Sequence, residues 1–415
     1  MRTSESAVRS VWIVNHYAPH PKKQGKIGLH LQLAREMANV GWNVNIITAS
    51  TSHPTGSQFL ARGVTAEVTQ WENTESLFVR SRSYTGNGLS RLLNMGEFGL
   101  RVFQQRTVKQ LPTPRVIIGR ITNPLAAIAA LRWSRYYEVP FILEISDIWP
   151  ETFVQLGAMT ENDPRTKILG KIEKQLIRAS TAVMSPLPGI GDYLKDNGFT
   201  DKQFYWIPNG VDVSRMTIGQ AKSDSADRPF RITYVGSLGN ANAVDTILRA
   251  FDSYVRQTND SQTELEIIGS GPLLSDLQNQ SHKLTSGKQI LFSGRVPHSD
   301  VPKRLGAADA LIANMKDLPL YRYGIALNKI FDYLLSARPI IFATNARNNL
   351  VEEAQAGITV EADDEIAIAA GIKEMIDRDP KERLEWGLAG RDFVIENYSY
   401  KHSADKFLRM LESIA

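Results

Sequence analysis

Short apolar runs alternate with amphipathic segments along this chain of 415 residues. Residues 11–14 (Val-Trp-Ile-Val) predict a buried strand, and apolar positions three and four apart over residues 29–40 predict the helix after it. Further strands are predicted at residues 43–48 and 141–145, and a helix over residues 124–137. Alternation of this kind predicts a parallel sheet covered by helices.

A polar segment at residues 218–229, rich in Ser, Asp, Ala and Lys, interrupts this pattern and predicts a linker. The alternation then restarts, with strands predicted at residues 231–235 and 265–268. The sequence therefore predicts two doubly wound, Rossmann-like α/β domains that face each other across a ligand cleft. The predicted divisions are a first domain at residues 1–207, a second at residues 208–390, and a final helix at residues 391–415 that crosses back to the first domain.

Composition excludes several classes of site. The chain has no cysteine, so it has no disulfide, no thiolate nucleophile and no cysteine-ligated metal. Its seven histidines are scattered and no Asp-x-Asp triplet ends a strand, so we expect neither a metal nor a cofactor. The longest apolar stretch, near residues 125–131, is shorter than the ~18 residues of a membrane span. No apolar segment precedes the first strand, so we expect no secretion signal and a cytoplasmic protein.

The net charge of +4 is concentrated in one part of the chain. Residues 80–135 carry ten Lys and Arg side chains and one acidic residue, Glu97, so the rest of the chain is net negative. A helix is predicted here over residues 89–109. At 100° per residue, one stripe of that helix carries Leu89, Leu92, Leu93, Leu100 and Phe103.

Two interpretations of this basic helix stay open. In one, the leucine stripe packs on its own domain and the basic side chains are solvated. In the other, the helix docks on an anionic membrane, where each Lys or Arg contributes about 1 kcal/mol. The side chains expected on the membrane-facing and acceptor-facing surface of the protein are Arg91, Phe98, Arg101, Arg106 and Lys109. No nucleic-acid reader motif is present, so we expect no nucleic-acid partner.

Glycine-containing loops follow three of the predicted strands. Gly25 and Gly28 precede the first long helix, Gly236 follows the strand at residues 231–235, and Gly269 and Gly271 follow the strand at residues 265–268. Glycine lets the backbone approach a ligand, and a helix N-terminus after such a loop favours an anion. Each loop is also compatible with an ordinary strand–helix turn.

Two further segments place charged side chains where ligands are expected to bind. Residues 321–334 form a loop that leads into a helix with Lys329 and Asp332 one turn apart. This arrangement suits a diphosphate and a ribose, although a solvated Lys–Asp pair has the same spacing. Glu144 and Asp147 lie at the end of the predicted strand at residues 141–145, where carboxylates reach the carboxyl edge of the sheet.

Together these motifs resemble the retaining, nucleotide-sugar-dependent glycosyltransferases of family 4, which have the GT-B fold, and especially the branch that builds O-antigen and capsule. The likeness extends over nearly the whole chain. The matching segments are His16-Tyr17, Gly25 with Gly28, residues 144–151 (like E-x-x-D-x-W-P-E), residues 208–212 (Pro-Asn-Gly-Val-Asp), residues 234–239, residues 269–272 and residues 329–333.

The resemblance implies a role for each candidate residue. The first domain would bind the acceptor and the second the nucleotide sugar. Lys329, Asp147 and Glu144 would serve catalysis, the last two on the acceptor side. The implied donor-binding residues are Gly25 and Gly28 beside the phosphates, Gly236 in the nucleotide site, Arg295 and Val296 beside the base, the N–H groups of Ile325, Ala326, Leu327 and Asn328 on the diphosphate, and Asp332 on the ribose.

The sequence departs from the family pattern at several charged positions. Gly324 replaces the first Glu of the E-x7-E pattern, and Leu238 and Asn240 occupy the stretch of the usual Arg and Lys pair. Ser146 replaces a frequent His. Lys329 and Arg295 are therefore the expected cations of the donor site.

The resemblance implies a glycosyltransferase with a UDP-sugar donor in surface polysaccharide synthesis. The basic side chains of residues 80–135 favour a lipid-linked saccharide acceptor at an anionic membrane, such as a polyprenyl-diphosphate sugar. Such an enzyme would work on the inner face of the cell membrane as a peripheral protein. Two alternatives stay open: a sugar-nucleotide epimerase or hydrolase on the same fold, and a non-catalytic nucleotide-sugar-binding protein.

Overall fold

The computed structural model describes residues 9–25, 27–86, 88–213 and 228–415. The chain divides into two compact units. The N-terminal unit comprises Met1–Asn209 together with Tyr400–Ala415, and the C-terminal unit comprises Gly210–Ser399. Most of the predicted linker, residues 218–227, lies outside the described residues.

Each unit is built on one sheet, as predicted. The strands of the N-terminal unit are β1 (Arg9–Val14), β2 (Trp42–Ala49), β3 (Ala66–Trp71), β4 (Thr74–Val79), β5 (Val116–Arg120), β6 (Phe141–Glu144), β7 (Ala182–Ser185) and β8 (Gln203–Trp206). Those of the C-terminal unit are β9 (Phe230–Ser237), β10 (Thr263–Ser270), β11 (Ile290–Gly294), β12 (Ala310–Asn314), β13 (Ile340–Ala343) and β14 (Gly357–Val360).

Helices follow most of these strands. They are α1 (Pro21–Gln24), α2 (Leu29–Ala38), α3 (Leu89–Val102), α4 (Gln105–Val108), α5 (Pro124–Tyr137), α6 (Glu151–Gln155), α7 (Pro164–Ala179), α8 (Ile190–Asp196), α9 (Val244–Thr258), α10 (Leu274–Ser281), α11 (Val301–Ala307), α12 (Asn328–Leu335), α13 (Leu350–Glu353), α14 (Glu365–Asp377), α15 (Pro380–Tyr398) and α16 (Tyr400–Ile414). None of the helices within the described residues combines the length and the apolar character that crossing a bilayer requires.

The two sheets have doubly wound topologies. Within the described residues the strand order is β3-β4-β2-β1-β5-β6-β7-β8 in the N-terminal unit and β11-β10-β9-β12-β13-β14 in the C-terminal unit. Neighbouring strands are parallel except for the antiparallel pair β3 and β4. Because helices cover both faces, the central strands are continuously apolar, as residues 11–14 of β1 are. The predicted fold class is therefore confirmed.

The last helix of the chain belongs to the N-terminal unit. Phe407 and Met410 of α16 lie in the same buried cluster as Leu33 and Met37 of α2. The chain thus leaves the N-terminal unit after Asn209 and returns to it at Tyr400.

The hairpin of β3 and β4 was not anticipated. A two-residue turn joins the strands, and Glu72 in that turn has a φ of 49°. Turns of this kind favour Asn or Gly at positive φ, so Glu72 carries no recognisable turn signal. The hairpin adds an antiparallel edge to the otherwise parallel sheet.

The structure reverses the expected orientation of α3. Phe98, predicted on the surface, is 0% exposed, whereas Leu89, Leu92 and Leu100 are 71%, 61% and 62% exposed. The prediction that Phe98 is exposed was therefore wrong. Of the two interpretations of this helix, the one in which the leucine stripe packs on its own domain was also wrong. The helix also ends earlier than predicted, at Val102.

A buried polar residue explains this orientation. The Oδ1 atom of Asn94 lies 2.9 Å from His16 Nε2, and its Nδ2 atom donates to Ser81 Oγ at 3.0 Å. Asn94, Phe98 and Val102 are four residues apart and form one inward stripe. A count of apolar positions alone misses this stripe because an asparagine belongs to it.

We expect Phe98→Ala to lower the free energy of unfolding by about 3–5 kcal/mol, because it leaves a cavity in the core. Leu92→Ala on the exposed face of the same helix should change it by less than about 0.5 kcal/mol. Urea unfolding followed by circular dichroism measures both values. A larger loss for Leu92→Ala than for Phe98→Ala would contradict the orientation of α3.

Candidate functional site

Two strand ends of the C-terminal unit meet at closely packed glycines. Gly236 of β9 pairs with Gly269 of β10 in the parallel register. A Cβ atom on Gly269 would lie 1.8 Å from the carbonyl oxygen of Gly236, and one on Gly271 would lie 2.2 Å from that of Leu238. The backbone packing therefore requires glycine at Gly269 and Gly271.

Lys329, in the first turn of α12, reaches the same strand end. Its Nζ atom donates to the hydroxyl of Tyr234 at 2.8 Å and to Asn242 Oδ1 at 2.7 Å. The ammonium also lies 4.4 Å from the centre of the Tyr234 ring. A Cβ atom on Gly236 would lie 2.8 Å from Nζ, so the glycine leaves room for the ammonium.

The charge of Lys329 is not balanced by a carboxylate among the residues that the structure describes. Burial disfavours the charged form and lowers the pKa of Lys329 to about 7. An anion placed beside the ammonium would offset this cost. The geometry therefore provides a binding position for an anion.

The start of α12 offers further donors. The helix begins at Asn328 without a side-chain cap. The N–H groups of Ala326, Leu327 and Asn328 have no acceptor in the described part of the chain. The N–H group of Ile325, by contrast, donates to Asn348 Oδ1 at 2.8 Å. Ile325 therefore does not offer the free N–H that the sequence predicted.

The other predicted donor residues lie on the surface of the C-terminal unit. Gly294 has a φ of 65° and ends β11, and Arg295 and Val296 follow it. Arg295 and Asp332 are exposed. Neither makes a described contact with Lys329, so their roles beside the base and the ribose stay predictions.

In the N-terminal unit, His16 joins three elements at the carboxyl edge of β1. Its Nε2 atom lies 2.9 Å from Asn94 Oδ1, and its Nδ1 atom lies 3.1 Å from Asn123 Nδ2. Because Asn123 Oδ1 accepts the N–H of Ala126, its amide nitrogen faces the ring, so Nδ1 accepts and Nε2 carries the proton. Burial lowers the pKa of His16 to about 3, and the ring is neutral at neutral pH.

Glu144, at the end of β6, is enclosed by charged and polar partners. Its side chain is 1% exposed, and its oxygens lie 2.8 Å from His30 Nε2 and 3.5 Å from Arg120 Nη1. Although burial alone would raise the pKa of Glu144, His30 and Arg120 hold it below its ordinary value. This burial fits a residue that positions His30 and Arg120 better than one that contacts an acceptor.

Asp147 differs from Glu144 in its access to solvent. It is exposed, and no side-chain hydrogen bond holds its carboxylate among the described residues. The neighbouring Ser146 is buried and accepts a hydrogen bond from Arg120 Nε at 3.0 Å. Of the two predicted carboxylates, Asp147 is thus the one that a ligand can reach.

The predicted glycines of the first loop have local structural roles. Gly25 has a φ of 65° and ends α1, and Gly28 lies at the N-cap of α2. A Cβ atom on Gly28 would lie 2.7 Å from Pro19 Cδ. Lys26, between them, lies outside the described residues. Donor binding by Gly25 and Gly28 stays a prediction.

The predicted membrane-facing residues divide into two groups. Arg91 donates from Nε to the hydroxyl of Tyr17 at 3.0 Å, and Arg101 pairs with Glu97 at 2.9 Å. Arg106 and Lys109 are exposed at α4. Phe98 lies in the core, as described above.

Tyr234 and Asn242 were not predicted as site residues. Tyr234 belongs to an apolar run that is typical of a buried strand, and Asn242 lies in a short 3-10 turn, Asn240–Asn242. Nothing in the local sequence indicates that both contact Lys329, which lies 95 positions after Tyr234 and 87 after Asn242. Within the described residues, no cluster of three or more His, Asp or Glu side chains is arranged to hold a metal.

Replacing Glu144 by Ala should destabilise the N-terminal unit by about 3–5 kcal/mol, because His30 and Arg120 lose their buried partner. Asp147→Ala should change the stability by less than about 0.5 kcal/mol. Thermal and urea unfolding of both variants measures this contrast. A stable Glu144→Ala variant would show that the carboxylate is not needed inside the fold.

Comparison with known proteins agrees with the fold and with both halves of the chain. The family model for "Glycosyl transferase 4-like domain" matches residues 30–210, and that for "Glycosyl transferases group 1" matches residues 229–378. A GDP-mannose-dependent alpha-(1-6)-phosphatidylinositol monomannoside mannosyltransferase of Mycolicibacterium smegmatis is 22% identical over 214 residues, which are 49% of this chain and 55% of that protein. The chain thus spans about half the length of this curated relative.

Solved structures share the architecture over almost the whole chain. Sucrose-phosphate synthase from Thermosynechococcus elongatus has a TM-score of 0.74 at 16% identity, with 98% of each chain covered. Anabaena HepE in complex with UDP and glucose has a TM-score of 0.65 at 13% identity, with 97% of this chain and 99% of that chain covered. By its fold and by both family models, the chain belongs to the glycosyltransferases of the GT-B type.

Proposed function

We propose that this protein is a retaining glycosyltransferase that moves a sugar from a nucleotide-sugar donor to a hydroxyl of a saccharide acceptor in the synthesis of a bacterial surface polysaccharide. One observation carries the proposal: among the residues that the structure describes, the Lys329 ammonium has only neutral partners, and it lies at the uncapped start of α12. A diphosphate supplies the missing negative charge.

The proposed reaction needs charge stabilisation more than a dedicated nucleophile. The acceptor hydroxyl attacks the anomeric carbon on the face that the nucleotide leaves, and the departing phosphate oxygen accepts the hydroxyl proton. Lys329 and the N–H groups of Ala326, Leu327 and Asn328 stabilise the charge that grows on the leaving diphosphate. Asp147, with its exposed carboxylate, orients the acceptor, and Asp332 binds the ribose.

We propose a UDP-sugar as the donor. The Anabaena neighbour was solved with UDP and glucose, whereas the mycobacterial relative is named as GDP-mannose-dependent. Thermal unfolding in the presence of UDP, GDP and their sugars tests the base, because a bound ligand raises the melting temperature by mass action. Stabilisation by GDP alone would contradict a UDP donor.

Lys329→Ala should lower the rate of sugar transfer by at least about a hundredfold, since a charge that stabilises the leaving group is lost. Lys373→Ala is the matched control, because Lys373 is an exposed lysine of the same unit that pairs with Asp377. Rates are measured by product formation at saturating donor. Near-normal transfer by Lys329→Ala would remove its assigned role.

Product analysis separates transfer from the alternatives. Proton NMR of the product reports the anomeric configuration, and retention is expected. Rapid conversion of the donor without an acceptor would instead indicate an epimerase or hydrolase. Donor binding without turnover on any acceptor would indicate a non-catalytic protein.

We further propose that the acceptor is lipid-linked, as in a polyprenyl-diphosphate sugar, and that the protein docks on the anionic inner face of the membrane from the cytoplasm. Half of the large exposed hydrophobic side chains among the described residues lie on α3 and α5. They are Leu89, Leu92, Leu93, Leu100, Leu125 and Tyr136. We call this set the α3–α5 surface.

The α3–α5 surface lies on two helices that pack against each other, and it has basic neighbours. Gly99 lets α3 approach α5, since a Cβ atom there would lie 2.6 Å from Leu125 Cβ. Arg132 and Arg135 are exposed on α5, and Lys109 is exposed after α4. Leucine, tyrosine and basic side chains together suit shallow insertion into an anionic bilayer.

Leu92→Ser combined with Leu100→Ser should reduce binding to vesicles that contain phosphatidylglycerol by roughly tenfold or more, because exposed apolar area is lost from the interface. Ile366→Ser is the matched control, since Ile366 is 79% exposed in the C-terminal unit. Co-sedimentation with anionic and neutral vesicles measures binding. Equal binding of the wild type to both kinds of vesicle would contradict the anionic partner.

A further inference from the structure

The two acceptors of Lys329 are themselves held in one orientation. The Tyr234 hydroxyl donates its proton to the carbonyl oxygen of Ser237 at 2.7 Å, so its lone pair faces the ammonium. The Asn242 amide nitrogen lies 3.1 Å from the same carbonyl oxygen and 3.0 Å from Ser237 Oγ. Asn242 Oδ1 therefore points to Lys329.

This small network fixes the ammonium without neutralising it. Two of its three N–H bonds are directed at Tyr234 and Asn242, and the third has no acceptor among the described residues. Gly236 adds a steric limit, because a Cβ atom there would lie 2.8 Å from both Nζ and the Tyr234 hydroxyl. Strand β9, the turn Asn240–Asn242 and helix α12 thus hold the Lys329 ammonium so that its third N–H bond is available to a ligand.

No charged neighbour contributes to the lowered pKa of Lys329, which burial alone brings to about 7. On α12 the closest acidic residue in sequence is Asp332, which is exposed. In the segment after β12, Lys316 pairs with Asp363 at 2.9 Å. At the end of β9 and in the turn Asn240–Asn242, the groups that face Lys329 are the neutral Tyr234 and Asn242.

We propose that Tyr234 and Asn242 are positioning residues that hold Lys329 for the diphosphate of the donor, and that diphosphate binding takes up a proton at this lysine. The inference rests on the proposed function, because it takes a diphosphate as the ligand. It adds two residues to the site and a coupling between donor binding and pH.

The direction of the pH dependence follows from the charge. Free Lys329 loses its proton as the pH rises through about 7, whereas a bound diphosphate favours the ammonium. Above that pH the protein must gain a proton to bind, so affinity falls by up to about tenfold per pH unit until the pKa of the complex is reached. Deprotonation of the diphosphate itself acts in the opposite direction, because it makes the ligand more anionic.

Isothermal titration calorimetry with inorganic pyrophosphate tests the inference without depending on the nucleobase. Affinity is measured from pH 6 to pH 9, and proton uptake at pH 8 is obtained from two buffers with different ionisation enthalpies. The wild type should take up a proton and bind more weakly at high pH. Lys329→Arg, which stays charged, should show only the titration of the ligand.

The positioning residues are tested by Tyr234→Phe and Asn242→Asp. Tyr234→Phe keeps the ring and removes an acceptor, so affinity at pH 6.5 should fall by roughly tenfold. Asn242→Asp places a carboxylate beside the ammonium, so affinity should fall and proton uptake at pH 8 should decrease. Tyr254→Phe is the matched control, because the Tyr254 hydroxyl donates to Asp260 and does not contact Lys329. Circular dichroism confirms that each variant is folded.

The outcomes separate this inference from the proposed function. If wild type and Lys329→Arg share one pH profile, or if Tyr234→Phe and Asn242→Asp bind like Tyr254→Phe, the positioning role is overturned while sugar transfer is unaffected. If proton uptake occurs but no sugar is transferred, the inference stands and the proposed function fails. If neither pyrophosphate nor any nucleotide binds the wild type, both fail.

Discussion

A polar group that is buried away from water needs a hydrogen-bond partner inside the protein, and this requirement organises the carboxyl edges of both sheets. In the N-terminal unit the neutral ring of His16 contacts Asn94 on α3 and Asn123 at the start of α5. These two contacts set the positions of both helices against the sheet. In the C-terminal unit, Tyr234 and Asn242 accept two of the three N–H bonds of the Lys329 ammonium.

The two networks differ in what they leave available. The His16 network is closed, since both ring nitrogens have partners and the ring stays neutral. The Glu144 cluster is also closed, because His30 and Arg120 balance the carboxylate. The Lys329 network is open, because neutral acceptors hold the cation and one of its N–H bonds has no acceptor in the described part of the chain. An open, positively charged network is the arrangement that a diphosphate complements.

The orientation of α3 connects buried polarity to the outer surface. Because Asn94 turns inward to reach His16, Phe98 and Val102 turn inward with it, and Leu92 and Leu100 face solvent. The same hydrogen bonds that hold the sheet edge therefore create an exposed apolar face beside basic side chains. The location of that face follows from one asparagine rather than from the number of leucines.

Much of the fold was predictable because parallel strands buried on both faces are continuously apolar, as residues 11–14 and 310–312 are. The helix at residues 124–137 was also predictable, since its apolar spacing and Pro124 mark its bounds. The hairpin of β3 and β4 was not, because Glu72 adopts a positive φ that its residue type does not announce. The motif at residues 329–333 indicated that Lys329 belongs to the donor site. Nothing in the sequence indicated that Tyr234 and Asn242 are its hydrogen-bond partners.

The sequence by itself determined the two α/β units and the strand ends where ligand-binding groups collect, because local periodicity and loop residues specify these features. Only the tertiary structure decided which face of α3 is buried, that Glu144 is enclosed while Asp147 is exposed, and that Tyr234 and Asn242 hold Lys329. Those decisions depend on hydrogen bonds between residues far apart in the chain, and such partners leave no local pattern in the sequence.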